Sequence, residues 1–116
     1  MRERDVQMER DMTEAAAKTV LIAVGDNGHE RHVAPPTEEI IEFADLRAGG
    51  NPIRPEIIDD GLREAREEAA DFRNYIVWRL LYRKNSPEST QMLGVALGHV
   101  IAAYHLVSVV EESEKY

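Results

Sequence analysis

The sequence predicts an all-α fold, a small oligomeric bundle of about four helices, as one domain over residues 1–116. Three observations favour this fold. Ala, Glu, Leu, Ile and Arg are abundant, and aromatic side chains make up only 6% of the chain. Pairs of proline and glycine divide the chain into segments in which apolar residues recur at helical spacing. A mass of 13.1 kDa is enough for one domain and too little for two.

The first segment allows two interpretations. Residues 1–12 are a charged N-terminal arm that is frayed or begins a helix, and apolar positions over 12–24 follow helical spacing. The same region ends in β-branched residues, and the Asp-Asn-Gly sequence at 26–28 is typical of a hairpin turn. We favour the helix because the run at 14–18 forms helix readily and leads directly into it. A short hairpin near 20–33 is the alternative.

The second helix lies between two breaks. Pro35 and Pro36 end the preceding segment, and Thr37 is suited to cap a new helix whose first turn is acidic. The pattern continues to about Ala48 and stops at the glycine that follows, Gly49.

Two longer helices are expected after this. Pro55 fits the first position of a helix that Gly61 dents or divides, with Asp60 capping the second part, and the pattern then continues to about Lys84. Ser86 is expected to cap the last helix, which continues to about residue 112.

The last helix is apolar on more than one side. Its stretch Met92–Val110 has no Asp, Glu, Lys or Arg and could just span a bilayer. We expect a soluble helix instead, because the stretch contains His99 and His105 and a central bundle helix is also apolar all round. A helix that is apolar on two sides needs two packing partners. These are expected to be the preceding helix and either the first helix or another subunit. Gly94 and Gly98 would let another helix approach closely.

Composition excludes several kinds of protein. The chain has 22 acidic and 14 basic residues, a net charge of −8, which disfavours general nucleic-acid binding. It has no cysteine, so disulfides and thiolate metal sites are excluded, and the charged N-terminus does not resemble a secretory signal. We therefore expect a cytoplasmic protein without membrane attachment. The apolar sides of the last helix separately predict an oligomer, either a dimer or a tetramer.

The negative charge is concentrated in one segment. Residues 38–71 hold eleven acids and four bases, a net −7 in 34 residues. Glu38, Glu39 and Glu42 can share one helical face, and Glu64, Glu68 and Asp71 repeat the pattern on the next long helix, followed by Asn74. If these helices packed antiparallel, the carboxylates would face each other. Mg²⁺ prefers such oxygen ligands and binds a few carboxylates together with substrate phosphates.

The acidic segment resembles a known enzyme family. Glu38 to Glu42 reads EExxE, and Glu68 to Asp71 reads ExxD after 25 intervening residues. With Arg47, Gly49 and Tyr75 nearby, residues 37–80 look like the MazG-like all-α nucleoside triphosphate pyrophosphohydrolases. The resemblance implies an oligomeric helical core, bound Mg²⁺, and hydrolysis of a nucleoside or deoxynucleoside triphosphate to the monophosphate and pyrophosphate.

The resemblance also assigns roles to residues. The metal ligands would be Glu38, Glu39, Glu42, Glu68 and Asp71. Of these, Glu39 and Glu42 would also be catalytic by activating water. The substrate would be contacted by Arg47, Asn74 and Tyr75.

A second interpretation needs no catalysis. The acids can also be helix-dipole partners or a solvated face, and the aromatic residues Tyr75, Trp78 and Tyr82 can be packing residues. The chain would then be a small acidic binding protein. Its ligand would be nucleotide-like, or its partner would be a basic protein.

Overall fold

A computed structural model describes residues 3–26, 29–50 and 52–115. Within these ranges the chain forms five helices and one two-stranded antiparallel hairpin, so the predicted predominance of helix is confirmed. The elements in chain order are α1 Val6–Ala17, β1 Ile22–Asp26, β2 His29–Val33, α2 Thr37–Ala48, α3 Pro55–Asp59, α4 Gly61–Tyr82 and α5 Pro87–Ser113.

The region after α1 is a hairpin, so the favoured prediction of a helix up to residue 24 was wrong. The strands pair in the register Ile22 opposite Val33 and Val24 opposite Arg31. The β-branched residues that precede the turn prefer extended backbone, and this preference outweighs the helical spacing of the apolar positions. The predicted turn residues at 27–28 lie outside the described residues.

The N-terminal arm is mostly part of α1. Asp5 caps this helix, since its side chain accepts a hydrogen bond from the backbone N–H of Met8 at 3.0 Å. Residues 6–12 of the arm therefore belong to α1.

The start of α2 differs from the prediction and its end does not. Thr37 is the first helical residue and donates its hydroxyl to the carbonyl of Pro35 at 3.2 Å, so it does not cap the helix. Gly49 ends α2 with a φ of 65° and donates its N–H to the carbonyl of Asp45 at 3.0 Å. A positive φ favours glycine, which explains why the helix stops there.

The later helices begin where the sequence indicates. Pro55 is the first residue of α3, and Gly61 begins α4, so the chain is divided at this glycine. Asp60 precedes α4 without a capping hydrogen bond from its side chain, and α4 ends two residues before the expected Lys84. Ser86 caps α5 by accepting a hydrogen bond from the N–H of Ser89 at 3.1 Å.

The elements form two packed groups. α4 packs along α5, and β1 also packs on α5, whereas α1 packs on α2. The hairpin is thus a partner of α5 that was not expected, and the first helix, one of the two expected alternatives, packs on α2 instead. Within the described residues, α2 and α4 are not in contact, so the two acidic helices do not form the antiparallel pair that the sequence suggested.

The single chain has very little core. Ile41 on α2, with 3% of its surface exposed, is the one buried side chain in the described part of the chain. The radius of gyration is 16.6 Å, whereas a compact domain of this length has about 13 Å. α5 is long and apolar enough to cross a membrane by length and composition, and no residue of it is buried within the chain.

Candidate functional site

The α1–α2 interface is held by two arginines of α1 and its preceding arm. Arg4 donates to the Asp45 carboxylate at 2.9 Å, and Arg10 forms a close ion pair with Glu38. Glu38 and Asp45 share one face of α2 with the buried Ile41, which lies between them in the helical repeat. The first acid of the EExxE motif therefore has a structural partner.

Arg4 is the centre of this interface. It donates to both carboxylate oxygens of Glu9, at 2.7 and 3.1 Å, and to the carbonyl oxygen of Gly49 at 2.9 Å. Hydrogen bonds to Glu9 and then to Asp45 raise the pKa of Arg4. The same hydrogen bond from Arg4 lowers the pKa of Glu9. Sequence reasoning missed this role, although two basic residues in the arm before an acidic helix are a signal that could have revealed it.

The other two acids of the first motif have no partner among the described residues. Glu39 and Glu42 are exposed on α2 and form no hydrogen bond or ion pair with the described residues. They are thus accessible to an external cation or to water. Arg47, in the last turn of α2, is exposed as well.

The second motif lies on an exposed face of α4. Six residues spaced alternately four and three apart share this face, which we call the acidic–aromatic stripe: Glu64, Glu68, Asp71, Tyr75, Trp78 and Tyr82. Each of them is exposed. The stripe therefore has carboxylates along its N-terminal half and aromatic rings along its C-terminal half.

The rings of the stripe are in contact. Tyr75 and Trp78 meet edge to face, with ring centroids 5.7 Å apart and planes at 89°. Glu68 and Asp71 make no hydrogen bond or ion pair with the described residues. The side-chain oxygen of Asn74, beside the stripe, accepts a hydrogen bond from Arg73 at 3.0 Å.

The opposite face of α4 fixes the direction of the stripe. Arg66 donates to both oxygens of Glu111 on α5 and lies over the ring of Tyr104, with 6.0 Å between its guanidinium carbon and the ring centroid. Arg66 is displaced by about half a helical turn from Glu64 and Glu68. The stripe consequently faces away from α5.

An apolar groove separates the two acidic helices. Ile40 of α2 and Phe72 of α4 both line it, with residues of β1 and α5, and its volume is about 590 Å³. Each of these two side chains is next to a motif acid in the sequence, Glu39 and Asp71 respectively. The two motifs therefore lie on the two sides of one groove without meeting across it.

The carboxylates have the right chemistry for Mg²⁺ but are not gathered in one chain. Among the described residues, no three His, Cys, Asp or Glu side chains lie close enough together to hold a metal ion. The five predicted ligands are split between two helices, and Glu38 is engaged by Arg10. Of the five predicted ligands, Glu68 and Asp71 form a pair of carboxylates on one face of α4, and Glu39 and Glu42 form a second pair on α2.

Comparison of the chain with protein-family models, with curated proteins and with solved structures found no match.

Proposed function

We propose that the chain is a magnesium-dependent pyrophosphohydrolase that converts a nucleoside or deoxynucleoside triphosphate to the monophosphate and pyrophosphate. The observation that carries the proposal is the acidic–aromatic stripe of α4. It places two carboxylates without an ion pair, Glu68 and Asp71, and exposed aromatic rings on the same accessible face, in the order in which a nucleotide presents its phosphates and its base.

Few protein ligands are needed for this metal. Mg²⁺ keeps several waters and is commonly bound by one or two carboxylates together with substrate phosphates. Glu68 and Asp71, one turn apart on α4, supply such a pair. When bound, the ion would neutralise the triphosphate and make phosphorus easier to attack.

The base would lie farther along the same helix. Tyr75 is about 6 Å from Asp71 along the helix axis. With 68% of its surface exposed, it has room to stack on a base. Asn74 and Arg47 remain candidates for contacts with the sugar or the phosphates.

The acids of α2 would act from across the groove. Glu39 and Glu42 are free of ion pairs within the described chain, so either can accept a proton from an attacking water. This role requires α2 to approach α4 when substrate binds or when chains assemble. Glu38 would join the metal ligands only after its ion pair with Arg10 opens.

Pyrophosphate release tests the proposal. The purified protein, with Mg²⁺ and each of the eight common nucleoside and deoxynucleoside triphosphates, should release pyrophosphate from at least one. Glu68→Gln and Asp71→Asn should abolish the release. Glu114→Gln, an equivalent change at an exposed acid after α5, should leave it unchanged. Absence of turnover over all eight nucleotides would refute the enzymatic proposal.

A second candidate is a non-catalytic acidic protein that captures a nucleotide-like ligand. The separation of α2 from α4 favours it, because capture needs the stripe of α4 alone. The chain contains one tryptophan, Trp78, and it lies on the stripe, so its fluorescence reports binding directly.

The two functions are separated by one titration. Quenching of Trp78 by a magnesium nucleotide without pyrophosphate release supports the binding protein. Quenching with release supports the enzyme. In either case Tyr75→Ala should weaken the response, whereas Phe43→Ala, at an exposed aromatic residue on α2 outside the stripe, should not. A basic protein partner instead of a nucleotide predicts neither quenching nor release.

A further inference from the structure

One face of α5 is left without a partner. The residues of this face, which we call the glycine face, are Gly94, Gly98, Ile101, Ala102, His105 and Val109. All of them are exposed, and a methyl group placed on either glycine would meet no atom within 4 Å. α4 covers one side of α5 and β1 covers another, so the glycine face is the remaining side of this helix.

The glycine face is apolar and uncharged. Ile101 and Val109 have 55% and 51% of their surfaces exposed. No Asp, Glu, Lys or Arg occurs between residues 92 and 110, although the chain carries a net charge of −8. Two copies of this acidic chain can therefore approach through this face without bringing like charges together.

The exposed area of the whole chain is larger than that of a typical folded monomer of its mass. Its solvent-accessible surface is 9352 Å². A monomeric protein of 13.1 kDa exposes about 6,400 Å². The excess of roughly 3,000 Å² is as large as or larger than the area of about 1,000 to 2,500 Å² that each partner buries in an obligate dimer.

We propose that the glycine face packs against the same face of a second copy of this chain, around a two-fold axis. Residues four apart form a ridge on a helix, and two such ridges interlock when the helices cross. Gly94, Gly98 and Ala102 are spaced in this way, and their small side chains let the two backbones come close. The inference goes beyond the pyrophosphohydrolase proposal and does not depend on it.

A lipid bilayer is a less suitable occupant of the same face. α4 lies along α5, tied to it by the pair Arg66 and Glu111, so insertion of α5 would carry the charged α4 with it. Charged side chains within the hydrocarbon core are costly. The chain's net negative charge would also oppose anionic lipid surfaces.

A charge-swap experiment tests the self-contact. Wild-type protein should sediment as a species of twice the chain mass. Ala102→Glu, at an exposed position, should raise the dissociation constant by about tenfold or more because each copy presents the same charge to the other. Ala102→Arg should do the same, and mixing the two variants should restore dimers. The matched control is Ala15→Glu, the same substitution at an exposed position of α1.

A steric pair gives an independent measurement. Gly98→Leu should weaken the dimer, whereas Gly61→Leu, at a glycine of α4 that is equally open, should not. Circular dichroism verifies that each variant keeps its helices. A wild-type monomer at all concentrations would overturn the proposal, as would a dimer that the α5 variants leave intact. Flotation of wild-type protein with vesicles of neutral and anionic lipid, lost in Ala102→Glu, would overturn it in favour of a membrane surface.

Discussion

Arg66 and Glu111 join α4 to the far end of α5. Nη2 of Arg66 donates to one carboxylate oxygen of Glu111 at 2.6 Å, and Nε donates to the other at 3.3 Å. The two side chains are half-buried, and the guanidinium also lies over the ring of Tyr104. Two bonds to one carboxylate fix the orientation of both side chains, so this pair sets how the two longest helices align.

Loss of this pair should loosen the α4–α5 contact. Arg66→Ala and Glu111→Gln should each lower the urea midpoint of unfolding. The midpoint of the double variant should be no lower than that of Arg66→Ala. Arg63→Ala is the control, because the two acids near Arg63 are exposed and 3.6 Å away. The control should stay close to wild type. An equal fall in the control would show that the Arg66 pair has no special role.

Acid should break the hydrogen bonds between Arg4 and Glu9. The hydrogen bond from Arg4 holds the pKa of Glu9 below its ordinary value of 4.5. The stabilisation from this hydrogen bond is therefore complete at a pH above the pKa of Glu9 in the unfolded chain. It is lost as the pH falls through the lower pKa that Glu9 has in the folded chain. Carboxyl-carbon NMR titration of Glu9 should show the depressed midpoint.

Arg4→Gln should return the pKa of Glu9 towards its ordinary value and increase hydrogen exchange in α1. Lys18→Gln is the control, since Lys18 follows α1 and forms no ion pair within the described chain. If both variants shift the titration equally, the net charge of the helix is the cause rather than the hydrogen bond.

The cap of α5 should contribute measurably to stability. Ser86→Ala removes the side-chain acceptor for the N–H of Ser89 and should cost about 1 kcal/mol in the free energy of unfolding. Thr37→Ala, at a position that the sequence marks as a cap, should cost clearly less, because Thr37 lies inside α2 and caps nothing. Denaturant unfolding measures both, and a larger loss in Thr37→Ala would contradict the assignment.

The buried side chain of α2 should matter more than its exposed neighbour. Ile41→Ala should destabilise the chain by about 2 to 4 kcal/mol, as expected for truncating a buried isoleucine. Ile40 has 58% of its surface exposed in the wild-type chain. Ile40→Ala should therefore lower the free energy of unfolding of a single chain by much less. A comparable loss at both positions would mean that the groove beside Ile40 is filled in the folded protein.

The sequence predicts those helix ends that are marked by a glycine, a proline or a capping residue. The end of α2 at Gly49, the start of α3 at Pro55 and the cap of α5 at Ser86 follow from local backbone preferences, so they could be predicted. The hairpin could not be decided, because residues 22–24 satisfy both a helical spacing and a β-branched preference. Packing against α5 is a tertiary effect that no local window contains.

The candidate site could be predicted only in part. Helical spacing places Glu64, Glu68 and Asp71 on one face, because this depends on α4 alone, whereas the continuation of that face through Tyr75 was not predicted. It could not show that Arg10 engages Glu38, or that α2 packs on α1 instead of α4. Those contacts join residues far apart in the chain, and charge complementarity between the arm and α2 is the signal in the sequence that could have indicated them.

The scarcity of core has a consequence for the life of the protein in a cell. With the side chain of Ile41 alone hidden in the described part, newly made chains would be easy substrates for proteases until they pair through the glycine face, if they dimerise as proposed above. Copies that accumulate would protect each other, and copies made slowly would be degraded. The rate of synthesis would then decide whether the protein persists at all.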